Sequence, residues 1–267
     1  MAAEIHSSAI IDDGAEIGPE VRIGPFCTVG PNVVLDARVE LKSHVAVAGR
    51  THLGEGCIVY PFASIGHAPQ DLKYRGEDTG LVIGRNTIIR EHVTISPGTV
   101  GGRHETRIGS DCLLMIGAHV AHDCTVDDNV VMVNNATLGG HVSVGKQVII
   151  GGLAAVHQFV RIGDHAFIGG MAGVEQDVIP FGMVVGDRAV LNGLNLVGLK
   201  RRGFSREEIH RLRDIYRTVF RDAGALADRL GAMRKAHGSD PVARLLLDFI
   251  DLGSDRKILK PKAQDGS

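Results

Sequence analysis

The sequence predicts an all-β solenoid built from six-residue repeats, followed by a small α-helical domain. Three observations lead to this fold class. An aliphatic residue recurs at every sixth position from Ile5 to Ile65 and again from Ile108 to Val174. Glycine is abundant, at 35 of 267 residues, whereas aromatic residues make up only 4% of the chain, so aliphatic side chains must fill a repetitive backbone. From Ser205 onward, apolar residues follow helical spacing instead.

The solenoid is predicted over residues 1–190. A six-residue period fits neither an amphipathic helix nor a simple strand, but it fits a coil in which each hexad supplies one short strand and one corner. Three hexads per coil predict about nine coils. The position four residues after each aliphatic residue is small and holds all four cysteines, which we interpret as buried structural residues. Glycine often follows the aliphatic residue, for example at Gly18 and Gly24, where we expect the corner to need a permissive backbone.

Two segments interrupt the period and are predicted to be loops that leave the solenoid. Residues 66–82 separate Ile65 from Ile83, and residues 100–107 are rich in glycine and charge. Loops on a rigid scaffold often carry functional side chains, so both are candidate parts of a site.

The helical domain is predicted over residues 191–267. Ser205 and Glu208 form a capping box, which predicts a helix that begins there. Apolar clusters after Leu226 and Leu245 predict two or three further helices, and the last dozen residues predict a tail. We expect the helices to pack against the last coils or against a neighbouring subunit.

Composition argues against several classes of function. The formal net charge is −2, which provides no footprint for bulk nucleic-acid binding. No apolar run reaches the roughly 18 residues of a membrane span, and the N-terminus lacks the features of a signal peptide. The four cysteines form no C-x-x-C pair, so we expect a reducing, cytoplasmic location.

Histidines provide the candidate chemistry. Residues 18 positions apart should stack about 4.8 Å apart along the solenoid axis, so that His122 lies in one column with Gly140 and Gln158, and Asp123 in the next column with His141. A histidine beside a carboxylate can act as a general base, and a nearby glycine amide can stabilise an oxyanion. The set favours acyl transfer by direct attack of a hydroxyl. Polar corner residues that merely satisfy one another are the alternative.

Several phrases resemble one enzyme family. They include Gln-Asp-Leu-Lys-Tyr at 70–74, Ala-His-Asp-Cys-Thr-Val at 121–126, Gly-His-Val-Ser-Val at 140–144 and Gly-Leu-Lys-Arg-Arg-Gly-Phe-Ser at 198–205. Over nearly the whole chain, the sequence resembles the acyl-carrier-protein-dependent UDP-N-acetylglucosamine O-acyltransferases of lipid A biosynthesis. The resemblance implies a left-handed parallel β-helix and a homotrimer with active sites between subunits. It also implies transfer of a (3R)-hydroxyacyl group from acyl carrier protein to the glucosamine 3-hydroxyl. No metal and no cofactor beyond the donor's phosphopantetheine arm are implied.

The resemblance further implies roles for individual residues. His122 matches the general base, Asp123 its orienting carboxylate and Gly140 the amide that faces the oxyanion. Gly170 matches a position that limits acyl depth, and glycine there implies a longer β-hydroxyacyl chain. Contacts with the sugar nucleotide or the acyl chain are implied for Gln70, Asp71, Lys73, His119, His141, His157 and Gln158. Contacts with the nucleotide phosphates and uridine, some from the adjacent subunit, are implied for Asn195, Arg201 and Arg202.

The sequence departs from the family pattern at two places. Val197 stands where the family has an acidic residue, and Ser96 and Pro97 stand where it has His-Arg, so we expect nucleotide and donor contacts to differ there. The stretch 200–217 is strongly basic, which suits an acidic acyl carrier protein.

Four other interpretations stay open at this point. The related N-acyltransferase carries an extra N-terminal domain, for which a repeat that begins at Ile5 leaves no room. An acetyl-CoA-dependent transferase shares the repeat. A γ-type carbonic anhydrase would hold zinc through histidines such as His119, His122 and His141. A solenoid can also be a non-catalytic scaffold. Acyl length, and a 3-hydroxyl against a 3-amino acceptor, stay open too.

Overall fold

The computed structural model describes residues 2–262, and its dominant element is a left-handed parallel β-helix. Each hexad forms a short strand and a corner, so successive strands along the chain belong in turn to three parallel sheets. The core is a continuous column of buried aliphatic side chains between these sheets. The predicted fold class is confirmed.

The three sheets run along the solenoid axis. Sheet A comprises Glu4–Ile5, Arg22–Ile23, Glu40–Leu41, Ile58–Val59, Ile88–Ile89, Leu113–Leu114, Val131–Met132, Ile149–Ile150, Phe167–Ile168, Gly182–Val185 and Val190–Leu194. Sheet B comprises Ile10–Ile11, Thr28–Val29, Ala46–Val47, Ser64–Ile65, Thr94–Ile95, His119–Val120, Thr137–Leu138, Ala155–Val156 and Gly173–Val174. Sheet C comprises Glu16–Ile17, Val34–Leu35, Arg50–Leu53, Gly80–Ile83, Glu105–Ile108, Thr125–Val126, Ser143–Val144 and Arg161–Ile162. Within residues 2–262, the 9 strands of sheet B agree with the coil number that the period predicts.

Each two-residue strand has one outward and one inward side chain. In Arg22–Ile23, the arginine is exposed and Ile23 is 2% exposed, because successive side chains of a strand point to opposite faces. The small-residue position also points inward, and all four cysteines are buried and free, as the sequence predicts.

The repeated glycines have a different cause from the one predicted. The left-handed backbone occurs two residues later in the corner, at residues with a side chain such as Phe26, whose φ is 58°. A Cβ on Gly24 would lie 1.5 Å from the Lys42 carbonyl oxygen of the next coil, and one on Gly18 would lie 2.8 Å from the Leu35 carbonyl oxygen. The expectation of a permissive backbone at Gly18 and Gly24 is therefore wrong. Close stacking of the coils excludes a side chain there.

Both loops end earlier than the sequence predicts. The first excursion stops at Thr79, because Gly80 already pairs in register with Arg50 and Glu105 in sheet C. The second stops at His104, since the strand Glu105–Ile108 begins directly after it. The predicted loop ends at 82 and 107 are thus wrong, and the two segments rejoin the solenoid through four-residue strands.

The C-terminal part begins with an antiparallel pairing. Gly182–Val185 pairs with Val190–Leu194, which crosses the predicted boundary at residue 190 and closes sheet A. Within the described chain, four helices follow, which are α1 (Leu196–Arg201), α2 (Arg206–Arg221), α3 (Leu226–His237) and α4 (Pro241–Asp251). The predicted capping box is confirmed, because the Glu208 amide donates to the Ser205 hydroxyl and the Ser205 amide to the Glu208 carboxylate.

The segment after α4 returns to the solenoid. The Asp177 amide donates to the Lys257 carbonyl at 3.0 Å and the Leu259 amide to the Asp177 carbonyl at 2.8 Å, and Leu259 is 5% exposed. The prediction of a tail over the last dozen residues is wrong for this part, since backbone pairing and an apolar side chain hold it. Residues 263–267 of that predicted tail lie outside the described residues. Among residues 2–262, no helix is both long and apolar enough to cross a membrane.

Candidate active site

The residues of the predicted histidine cluster meet at the corner that follows sheet B. The strands His119–Val120, Thr137–Leu138 and Ala155–Val156 pair in register, so the corners after them stack. His122, Gly140 and Gln158 form one column, in which the Phe159 amide donates to the Gly140 carbonyl at 3.0 Å. The His141 amide donates to the His122 carbonyl at 3.0 Å. The stacking that the 18-residue spacing predicts is therefore present at this corner.

His122 is held between a carboxylate and a glycine. Its Nδ1 lies 2.8 Å from the Oδ2 of Asp123, which is fully buried, while the His122 side chain is 17% exposed. A Cβ on Gly140 would lie 2.7 Å from both Cε1 and Nε2 of His122, so the imidazole occupies the space that a side chain at 140 would need. With Nδ1 donating to the carboxylate, Nε2 is the nitrogen left to accept a proton.

The surroundings of Asp123 favour its ionised form. Burial raises the pKa of this carboxyl, but hydrogen bonds outweigh burial and lower the pKa below its ordinary value. These bonds come from the Thr99 hydroxyl, from His122, and from the backbone amides of Thr99 and Arg103. An ionised carboxylate at Nδ1 orients the imidazole and stabilises its cation.

The two neighbouring histidines are favoured in their neutral form. Burial lowers the pKa of His119, and the nearby His122 lowers it further. Burial also lowers the pKa of His141, whose ring stacks on Phe159 with centroids 4.3 Å apart. His119 bonds to the Thr94 hydroxyl at 2.7 Å rather than to a carboxylate. Of these three histidines, His122 is the one with a direct carboxylate bond.

The same cluster has atoms of the types that bind metals. Ligand atoms of His122, Asp123 and His141 lie within 4.8 Å of one another. However, both carboxylate oxygens of Asp123 already accept hydrogen bonds from His122, Thr99 and Arg103. A bound metal would have to displace these donors, so the arrangement fits an acid–base pair better than the zinc site considered above.

The first loop reaches this corner through Asp71. The Asp71 charge raises the pKa of His141, so the carboxylate lies within electrostatic range of the cluster. Gln70 and Lys73 are exposed on the same loop, where the Lys73 amide donates to Asp71 at 2.9 Å.

His157 and Gln158 form the exposed upper rim of the corner. The Nδ1 of His157 lies 3.0 Å from the Arg256 guanidinium, which belongs to the segment after α4. Sequence reasoning missed Arg256, because nothing in its local pattern indicates a contact 99 residues away.

Two predicted residues, Asn195 and Arg202, lie elsewhere, near the corner that follows sheet C. The Asn195 carboxamide caps α1 by accepting from the Gly198 amide and also donates to the His165 carbonyl at 3.1 Å. The Arg202 guanidinium donates to the Gln147 carbonyl at 2.6 Å. These side chains therefore join α1 to the solenoid, and within one chain they are not brought to His122.

An apolar cavity of about 750 Å³ lies beside α1. Arg201 and the 62% exposed Val197 contribute to its lining, together with Ile149, Phe167 and Leu196.

The two remaining predicted positions flank other parts of the solenoid. Gly170 is exposed at the corner that follows sheet A, beside Gly152 of the preceding coil. Ser96, the departure from the family pattern, is 7% exposed at the end of the strand Thr94–Ile95.

A solenoid of hexapeptide coils with a histidine–aspartate pair at one corner defines a hexapeptide-repeat transferase. Residues 105–140 match the bacterial transferase hexapeptide repeat, and residues 177–259 match the second domain of UDP N-acetylglucosamine O-acyltransferase. The chain is 55% identical over 260 residues to the acyl-[acyl-carrier-protein]–UDP-N-acetylglucosamine O-acyltransferase of Caulobacter vibrioides, which covers 97% of this chain and 99% of that protein. The chain belongs to the family of acyl-[acyl-carrier-protein]–UDP-N-acetylglucosamine O-acyltransferases.

Solved structures agree with this membership. LpxA from Acinetobacter baumannii matches with a TM-score of 0.92 at 40% identity, over 95% of this chain and 99% of that chain. The Arabidopsis UDP-N-acetylglucosamine acyltransferase matches with a TM-score of 0.85 at 36% identity, over 96% of this chain and 100% of that chain.

Proposed function

We propose that this protein transfers a (3R)-hydroxyacyl group from acyl carrier protein to the 3-hydroxyl of UDP-N-acetylglucosamine, the first step of lipid A biosynthesis. The observation that carries the proposal is the position of the His122 imidazole, bonded to Asp123 on one side and lying against Gly140 on the other. A cytoplasmic location belongs to the proposal, and the four free, buried thiols fit a reducing compartment.

The reaction needs one base and one oxyanion donor. Nε2 of His122 takes the proton of the sugar 3-hydroxyl while that oxygen attacks the thioester carbonyl carbon. The Gly140 amide, which finds no hydrogen-bond acceptor within residues 2–262, donates to the oxyanion of the tetrahedral intermediate. Collapse of the intermediate breaks the carbon–sulfur bond, and the thiolate leaves with the proton held by His122. No metal or further cofactor is needed beyond the phosphopantetheine arm of the donor.

The outward face of sheet B is a suitable path for the acyl chain. Above His119, its outward residues are Thr137, Ala155 and Gly173, so the face becomes flatter from coil to coil. It runs from the corner of His122 towards Gly170, three coils or about 14 Å along the axis. A larger side chain at 170 would shorten this path, and glycine there fits a longer acyl chain.

A homotrimer would complete the site. From the fourth coil onward, sheet A presents an apolar outward column that is only half-buried in the single chain, comprising Ile58, Ile88, Leu113, Val131, Ile149 and Phe167. Contiguous apolar surface of this kind favours burial against another subunit. In a trimer, Arg201 and the α1 region of one subunit would reach the nucleotide bound beside His122 of the next, together with Gln70, Asp71 and Lys73. The basic surface of α2 would receive acyl carrier protein.

A product analysis tests the proposal. The purified protein is incubated with UDP-N-acetylglucosamine and a mixture of hydroxyacyl–acyl carrier proteins of different chain lengths, and the products are identified by mass spectrometry. Parallel reactions offer acyl-CoA as donor or the 3-amino sugar as acceptor. We expect an ester at the 3-hydroxyl from the carrier-protein donor. Transfer from acyl-CoA alone, preference for the amino sugar, or no transfer would contradict the proposal.

A further inference from the structure

The second excursion from the solenoid packs its backbone onto the buried carboxylate of the candidate site. We propose that residues 98–104 are a positioning loop, which holds the Asp123 carboxylate in the orientation that bonds it to His122, and that Thr99 and Gly102 are the residues on which this depends. The inference rests on the proposed role of His122 as the base.

The carboxylate has one set of partners for each oxygen. Oδ1 accepts from the backbone amides of Thr99, at 3.0 Å, and Arg103, at 2.7 Å. Oδ2 accepts from the Thr99 hydroxyl, at 2.6 Å, and from Nδ1 of His122, at 2.8 Å. Because three of these four donors belong to the loop, the loop fixes which oxygen faces the imidazole. Rotation of the carboxylate would leave buried donors and a buried charge without partners, which is costly.

Gly102 closes the loop over the same group. A Cβ at residue 102 would lie 2.3 Å from Cγ of Asp123 and 2.4 Å from both carboxylate oxygens. The adjacent Gly101 differs, since a Cβ there would meet nothing within 4 Å. The loop backbone thus lies directly on the carboxylate at 102 and is open one residue earlier, which gives a matched pair of positions.

The loop is itself held to the solenoid at both ends. The Gly98 amide donates to the Gly80 carbonyl at 3.0 Å, and the Gly80 amide donates to the His104 carbonyl at 2.9 Å. The Arg103 side chain donates to the hydroxyls of Thr125 and Ser143, which lie on successive coils. The loop is therefore a fixed part of the site, and its position relative to Asp123 is set by the coils.

Thr99 and Gly102 affect the pair in opposite ways. Removal of the Thr99 hydroxyl leaves more negative charge on Oδ2, so the carboxylate holds the proton on His122 more strongly. A methyl group at 102 displaces the carboxylate from the position in which it bonds His122, so the protonated imidazole loses its partner. The first change moves the acidic limb of the pH–rate profile to higher pH, and the second moves it to lower pH.

Other charged and titratable groups face this pair from the packed elements. Burial raises the pKa of Cys124 to about 12, so it stays protonated across the useful range. His119 and His141, with lowered pKa values, stay neutral near pH 7. The Arg103 cation lies on the loop, and the Asp71 anion lies on the first loop near His141. None of these groups is altered in the variants below.

The test compares Gly102→Ala with Gly101→Ala, and Thr99→Val with Thr99→Ser. We expect Gly102→Ala and Thr99→Val each to lower kcat by about ten- to a hundredfold with little change in KM, because each disturbs a hydrogen bond to a charged group. Gly101→Ala and Thr99→Ser should keep the activity of the parent protein. Thr87→Val is a further control, since Thr87 is fully buried and bonds the Gly109 carbonyl far from His122. We expect it to lower stability and leave the pH profile unchanged.

A readout without substrate separates this inference from the proposed function. Titration of the His122 ring by NMR should shift in opposite directions in Thr99→Val and Gly102→Ala. Parent-like kcat and an unmoved titration in both variants would overturn the positioning role. Full activity of a variant without the His122 imidazole would instead overturn the proposed function, and the NMR titration would still decide the role of the loop.

Discussion

Two buried aspartates, Asp123 and Asp177, lie in similar surroundings and serve different ends. Both are 0% exposed. Each accepts a backbone amide and a hydroxyl. Asp123 accepts both from Thr99, whereas Asp177 accepts the amide of Arg161 and the hydroxyl of the distant Ser254. The difference is the remaining partner. Asp177 bonds the guanidinium of Arg161, whereas Asp123 bonds a histidine.

That partner decides what the buried charge can do. Arginine is a permanent cation in proteins. The Arg161 guanidinium lies 2.8 Å from Asp177 and packs over the Phe249 ring at 4.5 Å, so the pair joins the solenoid to α4 and the segment after it. A histidine can gain and lose a proton near neutral pH, and the Nε2 of His122 faces a partly open corner. Burial of a carboxylate therefore does not mark a reactive site by itself. A titratable partner with a second, free nitrogen does.

The largest effect should come from removing the base. We expect His122→Gln to lower kcat by about 10²- to 10⁴-fold while the fold is retained, because His122 is the histidine that is hydrogen-bonded to Asp123, whereas Nε2 of His141 lies 3.9 Å from that carboxylate. The turnover rate and circular dichroism check this. A His122→Gln protein with parent-like kcat would show that the Asp123 pair, like the Asp177 pair, is structural.

Replacement of Asp177 tests the pair with Arg161, which we interpret as structural. We expect Asp177→Asn to lower the free energy of unfolding by about 3 kcal/mol, since it leaves the Arg161 cation without its partner, while that side chain keeps only 22% exposure. Chemical denaturation measures this, and kcat per folded molecule should stay close to that of the parent. A large loss of kcat without loss of stability would contradict the assignment.

The sequence predicts the pairing of Asp123 with His122 well and the pairing of Asp177 with Arg161 not at all. His122, Gly140 and His141 lie in an uninterrupted run of hexads, so a constant spacing places them in register. Thr99 contacts Asp123 although the two are 24 residues apart, because the loop between them changes the 18-residue spacing. The position of the Thr99 hydroxyl therefore could not be predicted from the repeat. Asp177 also bonds Ser254, 77 residues away in a segment for which the repeat gives no register.

Other departures from prediction have the same origin. The period locates Gly24 but not the reason for it, which is the Lys42 carbonyl of the next coil. The family resemblance gives Asn195 a nucleotide contact, yet in the single chain its carboxamide is occupied at the start of α1 and at His165. Repetition predicts contacts between neighbouring coils. It does not predict the contacts that a loop or a terminal segment makes with those coils.

Acid should lower the free energy of unfolding through the histidines that lie near Asp123. The pKa values of His119 and His141 are lowered in the folded protein from the ordinary 6.5, so below that pH the unfolded chain binds protons that the folded chain does not. The stability that the neutral form of these two histidines contributes is fully present above pH 6.5 and falls as the pH decreases, at no more than about 1.4 kcal/mol per pH unit for each histidine. His119→Gln should flatten this slope in denaturation at pH 5 to 7. An unchanged slope would show that His119 is not held neutral.

The Asp123 carboxyl adds a second, more acidic step. Its pKa is lowered in the folded protein from the ordinary 3.8, so its contribution is present above that value and is lost as the pH falls through the folded-state pKa.

The smallest effect should come from the hydroxyl at Asp177. Ser254 is exposed, and its hydroxyl lies 2.5 Å from Oδ2 of Asp177, which keeps its bond to Arg161 when the hydroxyl is removed. We therefore expect Ser254→Ala to cost about 1 kcal/mol, with faster hydrogen exchange at the Leu259 amide, and Ser254→Thr to restore the parent values. The acidic limb of the pH–rate profile should not move, in contrast to Thr99→Val. Arg256, two residues after Ser254, contacts His157, so a weaker substrate affinity would not contradict the contrast between the two aspartates. A shifted acidic limb would contradict it, because the hydroxyl at Asp177 would then also act on the base.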